Sequence, residues 1–136
     1  MAEKGSKRAT ILYVEDDDDT RLIMRQNLVK DGYRVLIEIS EDDALERATD
    51  GPVDADLLLI NLGLPPDDVL IAARRIRHAA IARTDVPIVV IAYKYGTDME
   101  GRDVKAEENE WVSYLEDAEQ LDRLLARLLP SNVAPA

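Results

Sequence analysis

Two polar stretches follow apolar runs and carry the side chains that could do chemistry. Glu15 and Asp16 begin an acidic run that continues to Asp19 and comes directly after the first apolar run. Asn61 ends a later apolar run and is followed by the turn sequence LGLPP. A carboxylate at position 61 would be a serviceable nucleophile, but an amide is uncharged and its oxygen attacks poorly. The residue types therefore indicate an acidic pocket that lacks an obvious reactive group.

The acidic run permits two interpretations. Glu15 and Asp16 could bind Mg²⁺, with the carbonyl oxygen of Asn61 and water completing an octahedron. Without a metal, two neighbouring carboxylates would raise the pKa of one of them. The residues Asp17 to Asp19 could instead cap the first helix, whose amino end favours each negative charge by roughly 0.3–1 kcal/mol, with Asp18 or Asp19 as the N-cap.

Alternating strands and helices must position these side chains. Apolar runs predict five strands, at 10–14, 33–40, 56–60, 87–92 and 111–115. Helical periodicity predicts five helices, at 18–31, 41–50, 67–80, 97–107 and 117–129, although Gly101 weakens the fourth by about 1 kcal/mol relative to Ala. This alternation predicts an α/β fold with a doubly wound parallel sheet of order 2-1-3-4-5, in which the first and third strands end beside each other.

Composition limits the classes of function. The chain has 136 residues, 46% of them hydrophobic, which suits one domain with a core at about 9–129 and tails at 1–8 and 130–136. A net charge of −11 argues against nucleic acid or an anionic membrane as a partner. There is no cysteine and no candidate nucleophile beside a base, so we expect a cytoplasmic protein that is not an enzyme.

The chain resembles the receiver domains of two-component response regulators over about 9–129. ILYVEDDDDTR is similar to their first strand and acidic pair, DLLLINLGLPP to their third strand and phosphoacceptor loop, and VPIVVIAY and WVSYL to their fourth and fifth strands. The resemblance implies a flavodoxin-like fold. It also implies that Glu15 and Asp16 are the Mg²⁺ pair, that Asn61 stands at the phosphoacceptor position, and that Ala92 and Tyr114 stand where the family has a hydroxyl residue and a lysine.

Each reactive position departs from that family pattern. Asn61 replaces the acceptor carboxylate, Ala92 has no hydroxyl, and Tyr114 has no amine. Tyr93 replaces a small residue and could fill the mouth of the pocket. One negative and one positive group are lost together, so no unpaired charge is left in a partly buried site. We therefore predict a pseudo-receiver that does not use phosphorylation and requires no cofactor, with Mg²⁺ binding weak at most.

The partner surface is also predicted by resemblance. Trp111 stands where the family has an aromatic residue that changes rotamer on activation. It could simply pack the fifth strand against the fourth helix. Alternatively, Trp111 and Tyr114 belong to a face, formed by the fourth helix, the fifth strand and the fifth helix, that binds a protein partner or a second copy.

Two further possibilities stay open. The pocket around Glu15, Asp16, Asn61 and Tyr114 could serve a metal- or ligand-responsive switch instead. Separately, the predicted third helix carries a basic stripe in an acidic chain, which is either a solvated face or a docking site for an acidic partner; it consists of Arg74, Arg75, Arg77 and His78.

Overall fold

The computed structural model describes residues 8–93 and 95–129. Within them, six strands are present: β1 (Thr10–Glu15), β2 (Arg34–Glu38), β3 (Leu57–Asn61), β4 (Ile88–Ala92), β5 (Asp103–Glu107) and β6 (Glu110–Tyr114). There are four α-helices: α1 (Asp18–Lys30), α2 (Glu41–Arg47), α3 (Pro66–Ala80) and α4 (Ala118–Leu128), with 3₁₀ turns at Ala48–Asp50 and Thr97–Met99. The predicted tails, apart from Arg8, lie outside the described residues.

The six strands form one sheet of order β2-β1-β3-β4-β6-β5. The five strands predicted from the apolar runs are β1, β2, β3, β4 and β6, and they are parallel in the predicted order. The α/β, flavodoxin-like prediction is therefore confirmed for this part of the sheet. In the β1–β3 register Glu15 lies opposite Asn61, so the topology brings the two predicted site residues together.

The predicted helix over 97–107 is wrong, and with it the count of five strands and five helices. After the turn at Thr97–Met99, Gly101 adopts a φ of +79°, and the chain returns as β5, antiparallel to β6. Val104 pairs with Val112, and Asn109 takes a φ of 61° in the connecting turn, which Asn tolerates better than most residues. The pairing with β6, which is not visible locally, overrides a weak helical pattern.

Helices cover both faces of the sheet. One core layer packs α2 and α3 against strand residues such as Leu58 and Ile60. The other packs α1 and α4 against the alternate residues Leu57 and Leu59. Because both faces of these strands are buried, their sequences are apolar almost without interruption. Among the described residues, no helix combines the length and the apolarity that spanning a bilayer would require.

Side chains cap the helices that begin beside the predicted site. Asp17, in an extended conformation, accepts a hydrogen bond from the backbone N–H of Thr20 at 2.8 Å and is the N-cap of α1. The N-cap predicted at Asp18 or Asp19 is therefore displaced by one or two residues, and those carboxylates lie in the first turn, where the helix dipole favours them. Ser40 caps α2 by accepting a hydrogen bond from the backbone N–H of Asp43 at 3.0 Å.

The arginines of the predicted basic stripe are held by carboxylates. Arg74 contacts the buried carboxylate of Glu110 through Nε at 3.0 Å and Nη2 at 2.6 Å, and Arg77 donates to it through Nη2 at 2.9 Å. Arg75 pairs with Glu41 of α2 at 2.5 Å. These ion pairs tie α3 to β6 and α2, which neither interpretation of the stripe anticipated, and docking of an acidic partner stays a prediction.

We expect Glu110→Gln to destabilise the domain by about 3 kcal/mol at pH 7, because it leaves two guanidinium groups without their counter-charge. Hydrogen bonds from Arg74, and then from Arg77, hold the pKa of Glu110 below its ordinary value. This contribution to stability is present above the ordinary glutamate pKa and is lost as pH falls through the lowered folded-state pKa. Urea unfolding at pH 7 and pH 3 measures the loss, which should shrink at the lower pH.

Glu41→Gln is the matched control. It removes the same charge from the ion pair between Glu41 and Arg75, in which the arginine side chain is exposed to solvent. Exposed ion pairs contribute about 1 kcal/mol or less to stability. Equal losses for the two variants at pH 7 would contradict the central role given to Glu110.

Candidate functional site

A buried carboxylate lies at the carboxyl end of β1. Glu15 is 0% exposed and accepts three sets of hydrogen bonds. The hydroxyl of Tyr13 donates to Oε1 at 2.8 Å, and the backbone N–H of Asp17 donates to Oε2 at 3.2 Å. The Asn61 amide nitrogen lies 3.0 Å from Oε2 and 3.3 Å from Oε1. The protein therefore surrounds this carboxylate with donors of its own.

The balance between burial and these donors sets the proton affinity of the site. Burial raises the pKa of Glu15, while the hydrogen bonds from Tyr13, Asp17 and Asn61 oppose that rise without cancelling it. Burial, together with the charge of Glu15, raises the pKa of the Tyr13 hydroxyl as well. Tyr13 consequently keeps its proton and serves as a donor at any physiological pH.

The two ends of the Asn61 amide face different partners. Its NH₂ group faces Glu15, while its carbonyl oxygen faces the N–H of Gly63 at the long distance of 3.5 Å. Gly63 has a φ of +65°, and a Cβ atom there would lie 3.5 Å from a carboxylate oxygen of Asp16. The turn after β3 thus brings Asp16, Asn61 and the backbone at Gly63 close together.

The two carboxylates of the predicted metal pair have different surroundings. Both oxygens of Glu15 already accept hydrogen bonds, and Asp16 is exposed at the surface. In the part of the chain that the structure describes, no group of three or more His, Asp or Glu side chains is placed to hold a metal ion. Asp16 is thus the more accessible carboxylate of the pair, and weak Mg²⁺ binding stays a prediction.

A cleft of about 640 Å³ opens beside Asn61. Ala92, only 7% exposed, forms part of its wall, and Tyr93, 43% exposed, stands at its mouth. Burial of the hydroxyl, then the charges of Glu15 and Asp17, raise the pKa of Tyr93 to about 12. The remaining lining residues are Asp16, Asp17, Thr20, Gly63, Leu64, Pro65, Pro66 and Ile91. The cleft therefore combines an apolar wall with an acidic lip.

Tyr114 lies outside this cleft. It pairs with Ala92 across β4 and β6, and its ring packs edge-on against Tyr95, with centroids 5.6 Å apart and an interplanar angle of 88°. The Tyr95 hydroxyl donates to the carbonyl oxygen of Leu115 at 2.6 Å. An aromatic pair thus occupies the end of β6.

Two residues of this neighbourhood were not among the sequence candidates. Tyr13 could have been found, because residues two apart in a strand share a face and Tyr13 precedes Glu15 by two. Tyr95 lies in a loop and carries no such signal.

Trp111 and Tyr114 do not form one surface. Trp111 packs with the core layer of α1 and α4, whereas Tyr114 packs with the layer of α2 and α3. Two cations lie over the Trp111 ring, Lys105 at 5.9 Å and Arg127 at 5.1 Å from its centroid. Trp111 therefore links the β5–β6 hairpin to α4, and the helix that was predicted to complete this face is absent.

The fold is shared with solved receiver domains. The chain is similar to the chemotaxis protein CheY4 of Vibrio cholerae, with 18% identity, a TM-score of 0.66 and coverage of 90% of this chain and 100% of the other. A response regulator receiver protein of Sinorhizobium medicae gives 20% identity, a TM-score of 0.60 and coverage of 93% and 98%. A structure described as a transiently phosphorylated switch in bacterial signal transduction gives 17%, 0.56, 89% and 91%.

These likenesses show the receiver-type fold. No protein-family model matches the chain, and no curated protein is significantly similar to it. At identities of 17–20%, the likeness shows the shared fold alone. A role can be transferred from these proteins to this chain only where the site residues themselves support it.

We expect Asn61→Asp to cost about 2–3 kcal/mol of stability at pH 7, because a second carboxylate would replace a donor about 3 Å from Glu15. The pKa of Glu15 is already raised, and the new charge raises it further. The loss of stability is complete above the raised pKa of Glu15, and it becomes smaller as the pH falls towards the ordinary pKa of a glutamate side chain. Thermal unfolding between pH 4 and pH 8, in EDTA-treated buffer to exclude neutralising cations, measures it.

Asn27→Asp is the matched control, since it adds the same charge on α1 away from Glu15. If Asn61→Asp were as stable as this control at pH 7, Asn61 would not be a donor on which Glu15 depends.

Proposed function

We propose that this chain is a receiver-like signalling module of a two-component type of system that works by protein–protein contact without phosphorylation. The observation that carries the proposal is the direction of the Asn61 amide, which donates to the buried Glu15. The side chain at the end of β3 is thus part of the packing around a carboxylate and is not a nucleophile aimed into the cleft.

The neighbouring positions support the same conclusion. Ala92 offers no hydroxyl, and Tyr114 offers no amine and packs on Tyr95 outside the cleft. Transfer of a phosphoryl group needs a nucleophile and positive charge that neutralises the developing negative charge. The described lining residues provide no positive charge, and their carboxylates, Asp16 and Asp17, lie at the lip of the cleft and not at the end of β3. The proposed module is therefore a binding protein and not an enzyme, and requires no Mg²⁺.

The surface proposed for a protein partner or a second copy is the β5–β6 hairpin with α4. The first strand of the hairpin forms where a helix was expected. Trp111 of the hairpin contacts Arg127 of α4 and Lys105 of β5. The outer edge of β5 is protected by Lys105 and by a register shift between Lys105 and Glu107, features that discourage uncontrolled strand pairing. Contact through side chains of the hairpin and α4 therefore fits better than extension of the sheet.

Incubation with a small phosphodonor and Mg²⁺, followed by intact mass measurement, tests the proposal. We expect the wild-type chain to keep its mass, while a phosphorylatable receiver domain in the same reaction gains a phosphoryl group. Asn61→Asp is a useful companion, because it restores a carboxylate without restoring the hydroxyl or the amine. A stoichiometric phosphoryl adduct on the wild-type chain would overturn the proposal.

A second candidate function is a switch that responds to a metal or small ligand. The 640 Å³ cleft, with Asp16 free at its lip, favours it. The NH₂ signals of Asn61 should report on such binding more directly than Trp111, which packs in the α1–α4 core layer. A titration with Mg²⁺, Mn²⁺ and Ca²⁺ followed by NMR would support this candidate if the Asn61 signals shifted saturably, and would exclude these cations if they did not move at millimolar metal.

A further inference from the structure

A second cavity lies at the opposite edge of the sheet from the cleft, beside the amino ends of β1, β2 and β3. Its volume is about 490 Å³. Thr10 begins β1, whereas Glu15 ends it, so the length of the strand separates this cavity from the candidate site. We call it the arginine pocket, and its lining residues are Arg8, Thr10, Arg34, Leu36, Asp54, Asp56 and Arg83.

The inner part of the arginine pocket is built on the sheet. Thr10 is only 8% exposed and pairs with Arg34 across β1 and β2. Leu36 lies two residues beyond Arg34, on the same face of β2, and packs against the core layer of α2 and α3. The pocket therefore has a partly apolar floor, and the strand pairing fixes the backbone from which Arg34 extends.

The charges of Arg83 and Asp56 are used within the fold. Oδ2 of Asp56 accepts a hydrogen bond from the Thr10 N–H at 2.8 Å, and Oδ1 of Asp56 pairs with Arg83. Nη2 of Arg83 also donates to the carbonyl oxygen of Ala55 at 3.1 Å. These contacts join β1, the segment before β3 and the segment after α3, and they balance one positive charge with one negative charge.

The charges that remain at the rim of the pocket are unequal. Arg8 and Arg34 supply two positive charges and Asp54 supplies one negative charge, and all three side chains are exposed. Between residues that the structure describes, none of the three takes part in an ion pair. The arginines of α3, in contrast, are held by carboxylates. In a chain of net charge −11, this pocket is therefore a local excess of positive charge.

The two rim arginines stand at one corner of the sheet. The backbone N–H of Arg34 donates to the carbonyl oxygen of Ala9 at 2.9 Å, and Arg8 immediately precedes Ala9. A guanidinium group presents paired N–H donors that match phosphate oxygens, and a phosphate monoester carries close to two negative charges at pH 7. Two arginines at one corner thus match the charge of one such group.

We propose that the arginine pocket binds a small phosphate monoester, with the phosphate between Arg8 and Arg34 and a hydroxyl of the organic part donating to Asp54. A volume of about 490 Å³ lies within the range of small-molecule sites and leaves room for an organic group on the Leu36 floor. Because Asp54 repels an anion but accepts from a hydroxyl, a phosphorylated sugar or polyol fits better than inorganic phosphate. This inference goes beyond the proposed function, since it concerns reversible binding at the other edge of the sheet.

Ribose 5-phosphate is the probe, and ribose, which has the same sugar without the phosphate, is its control. The measurement is an NMR titration of the ¹⁵N-labelled chain at constant ionic strength. We expect ribose 5-phosphate to shift the backbone signals of Thr10, Arg34 and Asp56 and the Nε–H signal of Arg34 saturably. Ribose should bind at least about tenfold more weakly, and inorganic phosphate should also bind more weakly than ribose 5-phosphate.

An arginine elsewhere on the surface provides the matched variant. Arg34→Gln should weaken the binding of ribose 5-phosphate about tenfold, and Arg8→Gln should act in the same direction. Arg25→Gln removes the same charge from an exposed residue of α1 that does not line the pocket, so it should leave binding unchanged. Arg34→Lys should restore part of the binding, because it keeps the charge and loses the paired donors. Unfolding curves verify that each variant is folded.

Equal binding of ribose 5-phosphate and ribose, equal binding of ribose 5-phosphate and inorganic phosphate, or equal affinities of Arg34→Gln and Arg25→Gln would each overturn the proposal. Shifts confined to Asn61 and Ala92, in the cleft, would overturn it as well. None of these outcomes bears on phosphorylation, because intact mass measured after denaturation does not detect a reversible ligand. Conversely, a phosphoryl adduct would overturn the proposed function and leave the pocket result standing, so the two failures are distinguishable.

Discussion

The solvation of one buried carboxylate organises the end of the sheet. When Glu15 leaves water, it loses hydration that must be replaced by a cation or by hydrogen-bond donors. Its donors come from three elements: Tyr13 from β1 itself, the Asp17 N–H from the start of α1, and the Asn61 amide from β3. The carboxylate therefore joins these elements at the point where the strand order reverses. The Asn61 amide is one of the donors that replace the hydration of the buried Glu15.

The other departures fit the same site. Under the proposed function, a hydroxyl at position 92 or an amine at position 114 would have no phosphoryl oxygens to bind. Ala92 closes the wall of the cleft, and Tyr114 turns to an edge-on contact with Tyr95. The cleft persists, but its charged lining residues, Asp16 and Asp17, are acidic. Under the proposed function, binding specificity would depend on surface charge and exposed apolar side chains and not on a reactive centre.

The β5–β6 hairpin shows how far local patterns can mislead. The segment 97–107 has a helical spacing of apolar residues that is weak and is interrupted by Gly101, and its polar residues are compatible with either structure. Pairing of Val104 with Val112 and of Asp103 with Ser113 stabilises the strand, and neither contact is local. Gln120 of α4 donates to Asp103, which fixes the hairpin against the helix. Strand propensity depends on such neighbours more than helix propensity does, so a weak segment is decided by tertiary contacts.

The sequence by itself determined the parallel strands, their order and the meeting of Glu15 with Asn61. Apolar runs specify which segments are buried, and the rule for doubly wound sheets specifies where their ends meet. The opposite faces of Trp111 and Tyr114 could also have been deduced, since residues three apart in a strand point to opposite sides. Tertiary structure alone decided the direction of the Asn61 amide, the N-cap at Asp17, the pairing of the α3 arginines and the hairpin. These depend on which donors and acceptors come within about 3 Å of each other, and hydrophobic periodicity carries no information about that distance.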